Sequence, residues 1–305
     1  MEPKVTIGMC ARNCGDILSS AIASVMAQDY PHDQMELIIV DDGSEDNTFA
    51  VIQNYAQKTD IPAKIFTQEW RGLGFTRNFI IQNASGEYII WVDSDEILEE
   101  NYVSKQIEFL DVHPGVGISV GILVMPTDNL VTRLDLIAFL IDRIKYMTQN
   151  AELKPPGTGA AAFRVEALRR AGGFDETIRG AGEDVEVGYK IKKLGWSVGA
   201  ANARFWEKRG GIGTLRELWN RYFWYGYGNH KVHWKYSEAV GFSTMTPVAG
   251  IISGFLYGIE GYRLTREKKL IFLLPTTFAL KYTAWCLGFT KSHIEKTREK
   301  TVSRN

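Results

Sequence analysis

Short apolar runs alternate with helix-periodic stretches through the first half of the chain. Val5-Thr6-Ile7-Gly8-Met9 reads as a strand, and residues 16–28 carry Ile17, Ala21, Ile22, Val25 and Met26 at helical spacing. A second strand, Glu36 to Val40, precedes a helix over about 48–57. Lys64-Ile65-Phe66 is a short strand, 74–83 a helix, and Tyr88 to Val92 a buried strand. Val116 to Val124 is a further apolar strand, and Val131 to Met147 is amphipathic. A Pro- and Gly-rich loop, Lys154 to Gly159, follows it. Strands alternating with helices predict an α/β fold, with a mostly parallel, Rossmann-like sheet covered on both faces.

The pattern changes after about Trp206. Trp219, Tyr222, Phe223, Trp224, Tyr225 and Tyr227 are interleaved with Arg216, Arg221, His230, Lys231 and Lys235. The stretch 239–259 then contains no charged residue, and 270–290 contains only Lys281. Each is long enough to span a bilayer, yet both carry Pro, Gly and Thr. Basic residues precede, separate and follow them, so the charge distribution sets no orientation. Helices lying in the membrane interface or re-entrant, true spans, and a soluble helical pair in a dimer interface all stay open. The expected organisation is 1–210 catalytic, 211–236 an aromatic and basic connecting helix, 237–290 apolar membrane-associated helices, and 291–305 a basic, frayed tail.

Bulk properties narrow the classes. At 305 residues one large domain with an appendage is expected. The formal net charge of −1 offers no global field for nucleic acid. Three cysteines, Cys10, Cys14 and Cys286, do not form a disulfide framework and suit a reducing compartment. Cys10 and Cys14 have no nearby histidine or further cysteine to complete a zinc site. The N-terminus passes from Met1-Glu2-Pro3-Lys4 straight into an apolar strand, without a signal-peptide pattern.

Candidate chemistry collects at two strand ends. Asp93-Ser94-Asp95 closes the run Glu87 to Val92, and Asp41-Asp42-Gly43-Ser44 closes Glu36 to Val40. Two carboxylates one residue apart can hold a divalent cation with oxygen ligands. Ligands of open α/β sheets collect at this edge. Gly43 permits a tight turn, and Asp46 or Thr48 can cap the helix that follows. A capped acidic turn, a carboxylate bonding a base or ribose, and a calcium loop are the alternative readings of 40–48. Gly157 to Ala162 imitates a dinucleotide loop, but Pro155-Pro156 stands where a strand should be.

Taken together these segments resemble the family 2 inverting glycosyltransferases of the GT-A fold. Val40 to Thr48 is similar to the family's VDDGSxDxT. Val5-Thr6-Ile7 with Arg12-Asn13 resembles the nucleotide-contacting opening strand and loop. Arg71-Gly72-Leu73-Gly74 with Arg77-Asn78 is similar to the G-x-x-x-A-R-N stretch beside the diphosphate. Ala84 to Ile89 leads into the D-x-D triplet in the family manner. Gly159 to Arg164 and Gly172-Gly173-Phe174-Asp175-Glu176 resemble the acceptor-side segment, and Gly182-Glu183-Asp184 the E-D motif. The resemblance covers about 4–210.

It implies a metal-dependent transferase of the hexosyltransferase type, moving a sugar from a UDP- or GDP-linked donor to a hydroxyl. Mg²⁺ or Mn²⁺ would be held by Asp95 and Asp93, with Glu207 replacing a histidine the family often has. Arg12, Asp42, Asp93 and Ser94 would contact the nucleotide sugar. Arg71 and Arg77 would reach the diphosphate, unless they belong to a solvated helix face. Asp184 would be the general base and Glu183 would orient it; an acidic helix start is the other reading. The apolar and aromatic-basic segments imply a lipid-linked glycan or other saccharide acceptor at the cytoplasmic face of the cell membrane. Transfer to polyprenyl phosphate, a nucleotidyltransferase and an inactive binding subunit are the alternatives. Sugar, base, acceptor and oligomeric state stay open.

Overall fold

The computed structural model describes residues 4–124, 129–149, 152–178, 181–208, 213–241 and 245–302. All the candidate site residues lie within these ranges, and the last three tail residues do not. The chain forms two compact units.

The first unit comprises Met1–Val124, Asn150–Thr177 and Val187–Arg209. Its strands are β1 (Val5–Ala11), β2 (Met35–Asp42), β3 (Ala63–Gln68), β4 (Tyr88–Trp91), β5 (Glu96–Leu98), β6 (Val116–Leu123), β7 (Ala161–Arg164) and β8 (Ser197–Glu207). They form one sheet in the order β3-β2-β1-β4-β7-β6-β8-β5. β3, β2, β1 and β4 run parallel, as the alternating pattern predicts. β7 is antiparallel to both β4 and β6, and β5 is antiparallel to β8. The sheet is therefore mixed. β5 and β7 are too short to show a period of their own.

Helices α1 (Leu18–Met26), α2 (Thr48–Ala56), α3 (Leu73–Asn83) and α4 (Tyr102–Val112) connect the strands. β1 and β2 are apolar runs because their faces are covered. Val5, Ile7 and Met9 join Leu37, Ile39, Leu18, Ile22, Ile107 and Leu110 in one buried core. The topology puts the ends of β1, β2, β4 and β8 and the start of β7 at one sheet edge.

The second unit comprises Met125–Gln149, Ile178–Glu186 and Gly210–Asn305. It holds α5 (Leu130–Gln149), the first turn of α7 (Glu183–Lys193), and the long helices α8 (Leu215–Lys235), α9 (Pro247–Thr265) and α10 (Lys269–Val302). A short α6 (Val165–Arg170) belongs to the first unit. The division differs from a single cut near residue 210. The amphipathic stripe of α5 explains this: Leu134, Ile137 and Ile141 pack with Leu270, Leu274 and Phe278 of α10. α10 continues through most of the basic tail, as far as Val302.

Glycines make the helix contacts possible. A side-chain carbon on Gly226 of α8 would lie 1.9 Å from the Trp285 carbonyl of α10, and one on Gly288 of α10 1.9 Å from that of Phe223. Neither position accommodates alanine without moving backbone. Among the described residues one helical segment, Lys269–Thr297, is long and apolar enough to cross a membrane.

Candidate active site

In the first unit the loops after β1 and β2 are stitched together. Cys14 N–H donates to Thr48 Oγ1 (2.8 Å), Gly15 N–H to Asp46 (3.2 Å), and Glu45 N–H to Asn13 Oδ1 (2.8 Å). Asp46 also accepts from Thr48 N–H (2.9 Å), but the N-cap position of α2 is Asn47, which makes no side-chain capping bond, so neither Asp46 nor Thr48 is the cap. Gly43 turns at φ +74°, and a side chain there would strike the Trp70 backbone at 2.7 Å. The two neighbouring acids differ in what they hold. Asp41 accepts from Ser44 Oγ and from Thr67 Oγ1 (3.1 Å). Asp42 is buried and accepts from Arg71 N–H (2.9 Å), Gly72 N–H (3.0 Å) and Gln68 Nε2 (2.8 Å). Asp42 thus clamps the loop that carries Trp70 and Arg71.

That loop presents aromatic faces to cations. The Arg12 guanidinium sits 4.8 Å from the centre of the Trp70 ring, and that of Arg71 lies 3.5 Å above Phe75. Arg12, Trp70 and Arg71 are all exposed. Arg77, one turn into α3, is buried instead. It lies over Trp91 (5.8 Å) and Phe174 (5.3 Å), with Nη2 3.8 Å from Asp93 Oδ1. A solvated helix face is therefore excluded for Arg77. The next residue, Asn78, donates to the Phe174 carbonyl (2.9 Å) and to Glu176 (2.9 Å) and accepts from Phe174 N–H (2.8 Å). It ties the Gly172 to Glu176 segment to α3.

The D-x-D turn is held from beneath. Glu96 is buried, and its Oε2 accepts from Asp93 N–H (2.8 Å) and Ala160 N–H (2.9 Å). One carboxylate thus joins the triplet to the start of β7. A side-chain carbon on Gly159 would lie 2.4 Å from Glu96 Oε1, so this contact requires glycine. Burial, with Asp93 and Asp95 nearby, pushes the Glu96 carboxyl well above the usual range. The Asp95 carbonyl accepts from Lys208 N–H (2.6 Å), and Ser94 bonds the Cys14 thiol. Asp93, Ser94 and Asp95 remain half-buried at the sheet edge. Glu207 ends β8 in register with Glu96. Among the described residues no three His, Cys, Asp or Glu side chains are gathered as a metal cage, so Glu207 is not brought into one set with Asp93 and Asp95. Two carboxylates plus donor phosphate oxygens and water are nevertheless a ligand set that Mg²⁺ accepts.

Glu183 and Asp184 lie in the second unit, in the first turn of α7. Asp184 Oδ1 accepts from Val185 N–H at 2.7 Å; Glu183 and Glu186 are buried. Acids in the first turn and Lys190, Lys192 and Lys193 in the last complement the helix dipole. Gly182, at φ +112°, precedes this turn and packs against Val232 and Asn229 of α8.

The sequence reading did not single out Glu96 or Trp70. Glu96 appears there only as one more acid after the triplet, and its role comes from strand pairing. A tryptophan directly before Arg71 was the available signal for the other.

Comparisons with known proteins give one answer. The model of the family described as Glycosyl transferase family 2 matches residues 6–172. Bacillus subtilis TuaG, which carries the name teichuronic acid biosynthesis glycosyltransferase, is 31% identical over 109 residues, 36% of this chain and 42% of TuaG. The poly(ribitol-phosphate) beta-N-acetylglucosaminyltransferase TarS of Staphylococcus aureus is 28% identical over 101 residues, 33% of this chain and 18% of TarS. The matched segments thus span less than half of these relatives' length. Among solved structures, the mannosyltransferase PcManGT from Pyrobaculum calidifontis, in complex with GDP-Man and Mn²⁺, superposes with a TM-score of 0.71 at 18% identity, covering 95% of this chain and 88% of that one. Staphylococcus aureus TarS 1–349 in complex with UDP gives 0.56 at 17% identity, covering 96% and 92%. At these identities the superpositions establish the fold.

Proposed function

This chain belongs to glycosyl transferase family 2, and we propose that it moves a sugar from a UDP- or GDP-linked donor to a hydroxyl of a lipid-linked glycan, with inversion at the anomeric carbon. The observation that carries this is the D-x-D turn. Asp93 and Asp95 stand at the sheet edge, Arg77 is buried beside Asp93, and Glu96 and Asn78 hold both surrounding loops.

The residues divide the work. Arg12, Trp70 and Arg71 would flank the nucleotide, with Asp42 fixing the loop on which two of them stand. Asp93 and Asp95 would hold Mg²⁺ or Mn²⁺, and Ser94 between them would contact the donor. When bound, the ion neutralises charge on the departing diphosphate. Arg77 adds a fixed positive charge on the same side. Asp184 takes the proton of the attacking hydroxyl, and Glu183 orients it. Glu207 is kept as a further oxygen ligand that would have to turn toward the pair. The PcManGT and TarS structures, with GDP-Man and UDP, support a nucleotide-sugar donor of either base.

The acceptor reading rests on the second unit. Trp224, Tyr225 and Trp234 are exposed on α8 beside basic residues, as suits an interface of anionic headgroups. Among the described residues Cys10, Cys14 and Cys286 are not joined in a disulfide, which fits a reducing compartment and hence the cytoplasmic face of the cell membrane. A panel of UDP- and GDP-sugars, each with Mn²⁺, tests the donor. One should raise the melting temperature and lose its sugar to water or acceptor. A panel without any shift or turnover would count against the reading.

A further inference from the structure

We propose that the outer face of α9, with the basic turn after it, docks in the plane of an anionic lipid bilayer without crossing it. This deepens the lipid-linked acceptor reading by naming the docking surface.

The two faces of α9 are inverted relative to a helix on the surface of a water-soluble protein. Its small face points inward. Side-chain carbons on Gly250, Gly254 and Gly258 would lie 2.8 Å from the Phe278 carbonyl, 2.5 Å from that of Leu274 and 2.9 Å from Ile271 Cα of α10. Its large apolar face points outward. Val248, Ile251, Ile252, Phe255 and Leu256 are between 49% and 67% exposed. Their spacing places them in one row. A contiguous exposed row of this kind marks an interaction surface.

Charge identifies the occupant. The stretch 239–259 has no charged residue, and the row runs into exposed Arg263, Arg266, Lys268 and Lys269. Leu264 and Phe272 are exposed among them. The nearby acids are engaged: Glu260 pairs with Arg263 (3.1 Å) and Lys145 (3.8 Å), and Glu267 with Arg133 and Lys269 (3.0 Å). Among the described residues no ion pair is recorded for Arg266 or Lys268. An apolar row beside surplus cations matches an acyl boundary beneath anionic headgroups. None of the five outward side chains carries a hydrogen-bonding group, whereas protein interfaces carry regular hydrogen bonds.

In this reading α10, the one helix long and apolar enough to cross among the described residues, packs within its unit instead. α8 touches its backbone at Gly226 and Gly288, α9 at Gly250 to Gly258, and α5 through Leu134, Ile137 and Ile141. Lys281, 2% exposed, pairs with Asp135 of α5 at 2.7 Å, and Tyr222 of α8 donates to the same carboxylate at 3.0 Å. Of the apolar window of α10, 39% is buried, so part of its apolar character serves the core of its unit.

The test sediments the full-length chain with vesicles of phosphatidylcholine, alone or mixed with phosphatidylglycerol. The expected result is binding to the anionic vesicles that high salt weakens and alkaline carbonate reverses. Ile252→Glu with Phe255→Glu should weaken it by about tenfold or more. Arg266→Gln with Lys268→Gln should weaken it on anionic vesicles only. Retention through carbonate, with release by detergent alone, would mean spanning and overturn the proposal. Absence of binding would overturn it too; a dimer dissociated by the two glutamates would then assign the face to a second copy. Thermal shifts with nucleotide sugars, run on the same variants, should match the wild type. If even the wild type shows none, the transferase reading fails while the docking result stands independently.

Discussion

At the scale of residues, the site is a set of acids with different duties, set by what each one accepts. Asp42 and Glu96 spend their oxygens on backbone N–H groups and position loops. Asp93 and Asp95 stay half-buried at the edge. Asp95→Asn should therefore abolish Mn²⁺-dependent transfer without lowering the melting temperature. Full activity of that variant in EDTA would rule out a metal held here. Glu96→Ala should leave two buried N–H groups unsatisfied and destabilise by about 1–3 kcal/mol for each. Glu96→Gln keeps an acceptor oxygen and should be much milder, which denaturant titration of both variants would check. Asp184→Asn should slow transfer by roughly 10²–10⁴ with donor affinity retained. Collapsed donor affinity with normal turnover of bound donor would remove Asp184 from the role of base. The triplet itself was plain in the sequence because two acids end an apolar run. The clamps were not, since a carboxylate that accepts backbone N–H groups looks like any other acid before the strands are paired.

At the scale of elements, the strong periodic segments were legible and the short ones were not. β1, β2 and β4 and helices α1 to α3 appear within a few residues of their expected bounds, because each buries one continuous stripe. β5 and β7, three and four residues long, gain their strand character from pairing with β8, β4 and β6. The glycines of α8 and α10 read as helix weakeners in one dimension and as close-packing points in three. Gly226→Val should cost roughly 1–3 kcal/mol through overpacking, seen as a lower unfolding midpoint. His230 adds a pH dependence. Trp234 Nε1–H donates to its Nε2 (2.7 Å), which puts the ring proton on Nδ1, facing Ser292 Oγ (3.0 Å). Burial, reinforced by His293, Lys296, His233 and Lys231, lowers its pKa from 6.5 to about 4. A depressed folded-state value means stability is present above pH 6.5 and is lost as pH falls toward 4. His230→Gln should flatten that slope in thermal melts recorded across the window.

At the scale of the whole molecule, the family match over 6–172 takes in the motifs from the opening strand to Arg164, whereas Gly173 to Glu176 and Gly182-Glu183-Asp184 lie beyond it. Beyond it, the sequence showed long apolar stretches without showing what they pack on, and α5, far upstream, turned out to share their core. The chain's membership in glycosyl transferase family 2 leaves the donor and the acceptor as the open chemistry. The most direct measurement follows release of UDP or GDP from matched nucleotide sugars by the full-length chain, with Mn²⁺ added and then chelated, in wild type and Asp95→Asn. The account predicts turnover of one donor that EDTA stops, restored by fresh Mn²⁺ and absent from the variant. Turnover that persists in EDTA, or in Asp95→Asn, would contradict it.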